Sequence, residues 1–321
     1  MTNNNKVILG IDTSNYTTSL AILSIEGELI ANLKRPLRVK EGERGLRQSD
    51  ALFNHTVNLP LIMHEAREFL NGKEIVAVGV SEKPRNVEGS YMPCFLAGVS
   101  SAESICVALG VPLYRFSHQC GHIMAALYSA GELDLLGNEF AAFHISGGTT
   151  ELVRVLPSDV GFRTEIIGGT ADLNAGQVVD RVGVYLGMPF PAGSHLEIEA
   201  LKNDKKIPRK KISSKGMTVN LSGLENMAIK LYEEQSDRAL CAAFVFDYIA
   251  RAVSAMIEAY YDEYGKGKIV CAGGVMCNTI IKKMLSDKYD VAFAEAALSA
   301  DNAVGIAVLT QRAYTSEKNC D

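Results

Sequence analysis

The chain has 321 residues, 47% of them apolar, which favours two domains with sizeable cores over one or three. A net charge of -5 argues against a broad non-specific nucleic-acid surface, while leaving room for a local basic patch. Cys94, Cys106, Cys120, Cys241, Cys271, Cys277 and Cys320 are scattered, with no CxxC pair, as free thiols in a reducing cytoplasm would be. The opening residues lack the apolar core of a secretion signal and no apolar run reads as a membrane span, so the expected location is cytoplasmic, with no membrane partner.

Lys6–Ile11 is a short apolar run of buried-strand type, ending in Asp12, Thr13 and Ser14. Strands over Thr18–Ser24 and, after the polar turn Glu26-Gly27-Glu28, over Leu29–Leu33 complete a β-meander. Asp12, Thr13 and Ser14 thus fall in a tight turn. There a carboxylate and hydroxyls either face a phosphate or a metal-bound water, or are ordinary turn residues. Glu41 to Asp50 predicts an exposed loop, with Ser49 or Asp50 capping a helix through Leu70. On that helix His55 and His64 read as surface or internally satisfied side chains. Next come a buried strand over Ile75–Ser81, a loop over Glu82–Met92 long enough to be functional, a helix over Phe95–Leu109 ending at Gly110, and a strand over Val111–Phe116.

That strand leads into Arg-Phe-Ser-His-Gln-Cys-Gly-His-Ile-Met, residues 115–124. On a helix, His118 and His122 lie on one face, with about 5–6 Å between Cβ atoms. Two neutral imidazoles so placed can share one divalent cation. The cation then needs at least one more ligand, usually a carboxylate, from elsewhere in the chain.

The second half repeats the opening theme. A strand over Glu139–Ser146 closes on Gly147-Gly148-Thr149-Thr150, and strands follow over Glu151–Leu156 and Gly161–Gly168. The duplicated strand–turn–strand predicts two similarly folded domains facing each other across a cleft. A helix over Ala175–Leu186 follows, then a basic run at residues 202–217 that reads either as a solvated loop or as an RNA phosphate contact. The longest helical periodicity spans Arg238–Tyr264. The strand Lys268–Ala272 runs into Gly273 and Gly274, where backbone can approach a flat or charged ligand, with Asn278 and a helix beyond. Asp301 precedes a last apolar helix over Val304–Ala313 and suits an N-cap.

Together these features predict an α/β, two-lobed fold of the actin-like ATPase, sugar kinase and heat-shock ATPase type, with a duplicated βββαβαβα core. The expected lobes are residues 1–112 and 113–300, with a C-terminal helix from about 301 to 321 packing back on the first.

Within that architecture the chain resembles the tRNA threonylcarbamoyladenosine transferase family, formerly called O-sialoglycoprotein endopeptidases, from Ile8 to Ala313. Gly10-Ile11-Asp12-Thr13-Ser14 is similar to the family's Gly-Ile-Glu-Thr-Ser, and His118-Gln119-Cys120-Gly121-His122 to its His-x-x-Gly-His. Ile145-Ser146-Gly147-Gly148 resembles its Val-Ser-Gly-Gly turn, and Gly176, Asp180 and Arg181 fall on its Ala-Gly-Glu-Ala-x-Asp-Lys helix. Pro189–Gly193 matches Pro-Tyr-Pro-Gly-Gly, Leu221–Leu224 matches Phe-Ser-Gly-Leu, Ala272–Asn278 matches Ala-Gly-Gly-Val-x-x-Asn, and Asp301-Asn302 matches Thr-Asp-Asn.

The resemblance implies a metal, iron or zinc, held by His118, His122 and Asp301. It implies an adenine nucleotide (threonylcarbamoyl-AMP or ATP/ADP) contacted by His144, Ile145, Ser146, Gly147, Gly148, Asp180, Gly193 and Asn278. Glu197 stands where some members place a further carboxylate, and Gly273 and Gly274 form the turn that holds the adenosine. The implied activity moves a threonylcarbamoyl group from threonylcarbamoyl-AMP to the exocyclic amine of the adenosine beside the anticodon of tRNA. The implied partners are tRNA and other subunits of a threonylcarbamoyladenosine-forming complex.

Four departures surround the implied site. The family's Cys-Asp-Glu-Thr is Asn15-Tyr16-Thr17-Thr18, its Gly-Pro-Gly is Lys83-Pro84-Arg85, its Ser-Gly-Gly-His-Thr carries Thr149 for His, and its helix glutamate is Gln177. They open two alternatives: a nucleotide-binding regulatory or scaffold paralogue, or a carbamoyl-type transferase with a non-tRNA acceptor. A metalloprotease is disfavoured, because without His-Glu-x-x-His no glutamate stands beside the metal as base.

Overall fold

The computed structural model describes residues 5–14, 16–37, 46–158, 161–299 and 303–320. The chain forms two compact units: Met1–Gly137 with Pro157–Thr164 and Ala297–Asp321, and Asn138–Leu156 with Glu165–Ala296.

In the first unit β1 (Lys6–Asp12), β2 (Thr17–Ser24) and β3 (Leu29–Pro36) make the expected meander. After α1 (Gln48–Leu70), β4 (Glu74–Lys83) adds in parallel to β1; after α2 (Phe95–Leu109), β5 (Leu113–Ser117) adds in parallel to β4. The sheet order is β3-β2-β1-β4-β5. β1 is buried over six of its seven residues because helices cover both faces of the sheet, so it reads as a continuous apolar run rather than an alternating one. Val7, Leu9 and Ile11 pack with Val78 and Val80 against Leu59 and Ile62 of α1 and Ala102 and Cys106 of α2. The alternate positions Gly10 and Gly79 point the other way, as a period of two requires.

Opposite them lie α3 (His118–Ala130) and the last helix of the chain. The first ten residues of α3 are all buried, and Ser117 caps it by accepting from Cys120 N. The unit extends past the boundary expected at residue 112 because β5 completes this sheet and carries α3 with it. The start of α1 also differs from expectation. Arg47 is the N-cap and makes no side-chain cap; Ser49 and Asp50 lie inside the first turn.

The second unit repeats the scheme. β6 (Phe140–Ile145), β7 (Thr150–Pro157) and β8 (Phe162–Thr170) precede α4 (Ala175–Tyr185), α5 (Gly193–Ala200), β9 (Ser214–Lys215) and β10 (Thr218–Val219). Then come α6 (Ser222–Gln235), α7 (Arg238–Tyr264), β11 (Ile269–Ala272), α8 (Thr279–Ser286), β12 (Val291–Phe293) and the short α9 (Ala296–Ser299). The order β12-β11-β6-β7-β8-β10-β9 contains the first sheet's pattern read backwards, with β9 and β10 added at one edge. The internal repeat legible in the two hairpins is therefore a repeat of topology. α7 is long and apolar enough to cross a membrane, contrary to the expectation that no run reads as a span. It is instead the core helix of this unit, with Phe244, Ile249, Val253 and Ile257 buried against Phe143 and Leu152 of the sheet.

α10 (Val304–Cys320) returns to the first unit. A Cβ at Gly10 would stand 2.8 Å from Ala307 N, so β1 admits α10 only because glycine faces it. At Gly305 the helix crosses α3 so closely that an added Cβ would overlap the Gly121 carbonyl.

The start of α6 depends on one carboxylate. Asp172 Oδ1 accepts from Leu173 N (2.6 Å) and Leu221 N (2.7 Å), and Oδ2 from Ser222 Oγ (2.5 Å) and Ser222 N (3.2 Å). Partial burial pushes the Asp172 carboxyl up, but the Ser222 hydroxyl and the three backbone N–H groups outweigh it and hold it at about 2. A folded value below the unfolded one means that stability is present above pH ~4 and drains away as the pH falls toward 2. Asp172→Asn is expected to remove this acid dependence, flattening the curve of stability against pH between about 4 and 2 in urea titrations.

Candidate functional site

The first cluster sits at the C-terminal ends of β1 and β4 and the start of α3. His118 and His122 are one turn apart and both buried, and their Nε2 atoms converge to 2.9 Å. Asp12 is wholly buried at the end of β1, with Oδ2 3.3 Å from His118 Nδ1. Ser14 Oγ donates to Oδ2 at 2.6 Å, and Ser81, at the end of β4, donates to Oδ1. Burial would raise the Asp12 carboxyl, but the His118 imidazole and the two hydroxyls hold it below its ordinary value. In the neutral tautomer that carries its proton on Nδ1, toward Asp12, the Nε2 of His118 holds a lone pair facing His122.

Two imidazole nitrogens face each other at 2.9 Å, and a buried carboxylate stands against the Nδ1 of one of them, donors of the kind that zinc or iron takes. Among the described residues no third His, Cys, Asp or Glu completes a cluster of three. Asp301 lies outside the described residues. Ala303, two positions on, is buried against Gly10 of β1.

The turn residues are engaged by the protein itself. Thr13 Oγ1 donates to Cys94 O (3.1 Å) and accepts from Gly98 N (3.1 Å), tying the turn to α2, and Ser14 serves Asp12. Thr13 and Ser14 are fully buried and hold the cluster together rather than presenting hydroxyls to an open phosphate site. The loop after β4 braces α3, since Pro84 O accepts from Gln119 N at 3.0 Å and Asn86 Nδ2 donates to Cys120 Sγ at 3.3 Å.

The second cluster belongs to the second unit and gathers the ends of β6 and β11 with the starts of α4, α5 and α8. The turn after His144 and Ile145 closes by Ser146 N donating to Thr149 O at 2.8 Å. Nothing lies within 4 Å of where a Cβ would stand on Gly147, Gly148 or Gly274, so their backbone is open to close approach. Gly273, at φ +96°, fits against Ile145, and Gly176 lets α4 start against the Gly147 backbone. Asn174 caps α4 and donates to Gly148 O at 3.0 Å. Asp180 Oδ1 accepts from Ala192 N at 2.8 Å, next to Gly193, and burial pushes its carboxyl up.

Asn278 is nearly fully buried. Its Oδ1 accepts from Ile280 N (3.1 Å) and Ile281 N (3.0 Å), which caps α8 and leaves Nδ2 buried without a partner. A buried amide donor left unmet is costly, and a ligand acceptor would satisfy it. Glu197 Oε1 accepts from Thr279 N (2.7 Å) and Oγ1 (2.6 Å), so it braces the same helix start. Sequence reasoning missed Ser81 and Thr279. Each is a lone hydroxyl in an unremarkable stretch, and only the fold brings it to a carboxylate.

The family model for tRNA N6-adenosine threonylcarbamoyltransferase matches residues 35–308. The enzyme of that name from Thermus thermophilus is 30% identical over 96% of this chain and 93% of its own length. That from Streptococcus suis is 29% identical over 97% and 94%. Among solved structures, HypF of T. kodakarensis superposes with a TM-score of 0.60 over 98% of this chain and 48% of its own, at 15% identity. The ROK family protein of Streptococcus pneumoniae gives 0.52 over 98% and 99%, at 13% identity. These likenesses support the actin-like and sugar-kinase architecture expected from the sequence.

Proposed function

The chain belongs to the tRNA N6-adenosine threonylcarbamoyltransferase family, and on that premise we propose that it transfers a threonylcarbamoyl group from threonylcarbamoyl-AMP to the exocyclic amine of the adenosine beside the anticodon of tRNA. The observation that carries the reading is the convergence of the His118 and His122 Nε2 atoms behind a buried Asp12, within a chain matched by the family over residues 35–308. On this reading His118, His122 and Asp301 hold iron or zinc. Such an ion would supply Lewis-acid stabilisation of negative charge on a carbamoyl or phosphate oxygen. Asp12 keeps the Nδ1 proton of His118 in place, so that Nε2 stays a lone-pair donor. The open backbone at Gly147, Gly148 and Gly274 receives the adenylate, and Asn278 Nδ2 donates to one of its acceptors. Because an acyl-adenylate carries its own leaving group, no serine or cysteine nucleophile is needed. The expected partners are tRNA and companion subunits in the cytoplasm.

The test is nucleoside mass spectrometry after incubating the chain and its companion subunits with threonylcarbamoyl-AMP and tRNA. Threonylcarbamoyladenosine is the expected product. Adenine-nucleotide binding without that product would favour the second reading, a regulatory paralogue, which Lys83, Arg85 and Thr149 in place of the family's glycines and histidine support. The nucleotide assignment has its own check. Asn278→Asp keeps an oxygen to cap α8 but removes the Nδ2 donor, so calorimetry should show nucleotide affinity falling about tenfold, one charge-assisted hydrogen bond's worth, while thermal stability holds.

A further inference from the structure

Between residues 202 and 217 seven basic side chains stand against one acid, Asp204, a local charge of +6 in a chain of net charge -5. A solvated charge run would be expected to hang free, and this one is anchored. Ile207 and Ile212 pack on the core of the second unit, turning the intervening basic residues outward. Arg251 of α7 donates from Nε to Asp247 (2.8 Å) and from Nη1 to Lys210 O (2.8 Å), with its guanidinium over the Tyr248 ring. Tyr248 OH donates to Lys211 O at 3.3 Å. The result is an irregular strand of backbone held to a rigid helix, bordering an open concavity of about 790 Å³ lined by Lys205, Lys206, Ile207, Pro208, Arg209 and Asp247. Lys205 is paired with Asp237, and the acid in the wall, Asp247, is paired with Arg251. Among the described residues Lys206, Arg209, Lys210 and Lys211 are exposed and enter no ion pair.

We propose that this anchored basic ledge is a docking surface for the phosphodiester backbone of RNA, and, resting on the function proposed above, of tRNA. A backbone whose ordering cost has been met by the fold carries these exposed cations in a row, which suits a polyanion of regular charge spacing. They contribute affinity and position and carry no base specificity. Carboxylates of an acidic protein or the headgroups of an anionic membrane would answer the same charge. The extended, pinned form of the ledge favours a linear polyanion over either.

The experiment measures tRNA binding by fluorescence anisotropy across a salt series. It compares the wild type, the triple variant Lys206→Ala/Arg209→Ala/Lys210→Ala, and Arg251→Lys, which loosens the ledge but keeps its charge. The three alanines lie on exposed side chains, so the fold is retained. The triple variant is expected to bind at least about tenfold more weakly, with a salt slope shallower by about three, one for each phosphate no longer neutralised. Arg251→Lys is expected to weaken binding with the slope unchanged. Unchanged affinity and slope in the triple variant overturn the docking surface. So does a triple-variant defect seen only with phosphatidylserine vesicles or an acidic peptide. A wild type that forms threonylcarbamoyladenosine in tRNA while the triple variant binds tRNA normally sinks the ledge alone. A wild type with no affinity for tRNA sinks the ledge and the proposed acceptor together.

Discussion

His118→Ala is expected to leave the purified chain without bound iron or zinc and without transfer activity. Removing a group that merely orients a metal ligand costs about 10–100-fold in affinity, and removing the ligand itself costs more. Asp12→Asn provides the graded comparison. The amide keeps the volume of the buried carboxylate but no longer fixes the Nδ1 proton of His118, 3.3 Å away. Metal should therefore bind about 10–100-fold more weakly in a chelator competition, with stoichiometry recoverable at high metal. Elemental analysis and the visible spectrum of the cobalt-substituted chain read both outcomes independently of catalysis. Full metal content in His118→Ala would refute the assignment, and circular dichroism separates it from simple unfolding.

The second large effect is at Gly305. In an exposed helix, glycine to alanine stabilises by up to about 1 kcal/mol. Here the added methyl would overlap the Gly121 carbonyl across the α3–α10 crossing, and backbone cannot swing aside as a side chain end can. Overpacking of that kind costs about 3 kcal/mol at its upper end, so the net is about 2 kcal/mol of destabilisation. For a unit of this size the melting temperature should fall by about 4–8 °C. Because α3 carries both histidines, metal affinity should fall with it. A Gly305→Ala chain as stable as the wild type would show that the two helices can separate at little cost.

Much of the fold was legible because its central strands are buried on both faces. Lys6–Ile11, Ile75–Ser81 and Glu139–Ser146 appear in sequence as plain apolar runs, and the runs are strands. Gly110, left-handed at φ +68°, marked the end of α2 to the residue, and α7 showed its full length in its periodicity. The domain boundary was not legible. β5 is a sparsely buried edge strand, and which sheet it joins is decided by pairing with β4 rather than by its own residues. β9 and β10, two residues each, carry no periodicity to read. At the site, the histidine pair was visible from spacing alone. The inward turn of Asp12 was not, because it depends on Ser81, sixty-nine residues away. The anchoring of the basic run was equally hidden, since it comes from Arg251 and Tyr248 on a distant helix.

The glycine crossing of α3 and α10 also bears on how the protein comes into being. A ribosome releases the histidine-bearing helix some 180 residues before the helix that covers it. Until residue 310 or so has emerged, α3 covers only part of its face of the first sheet, and the area that α10 occupies on β1 and β2 stays uncovered. Asp12, Ser81 and Ser117 are in place before the histidines are made, whereas Asp301, the third ligand in the proposed function, is made only near the end. On that proposal metal loading is expected of completed chains.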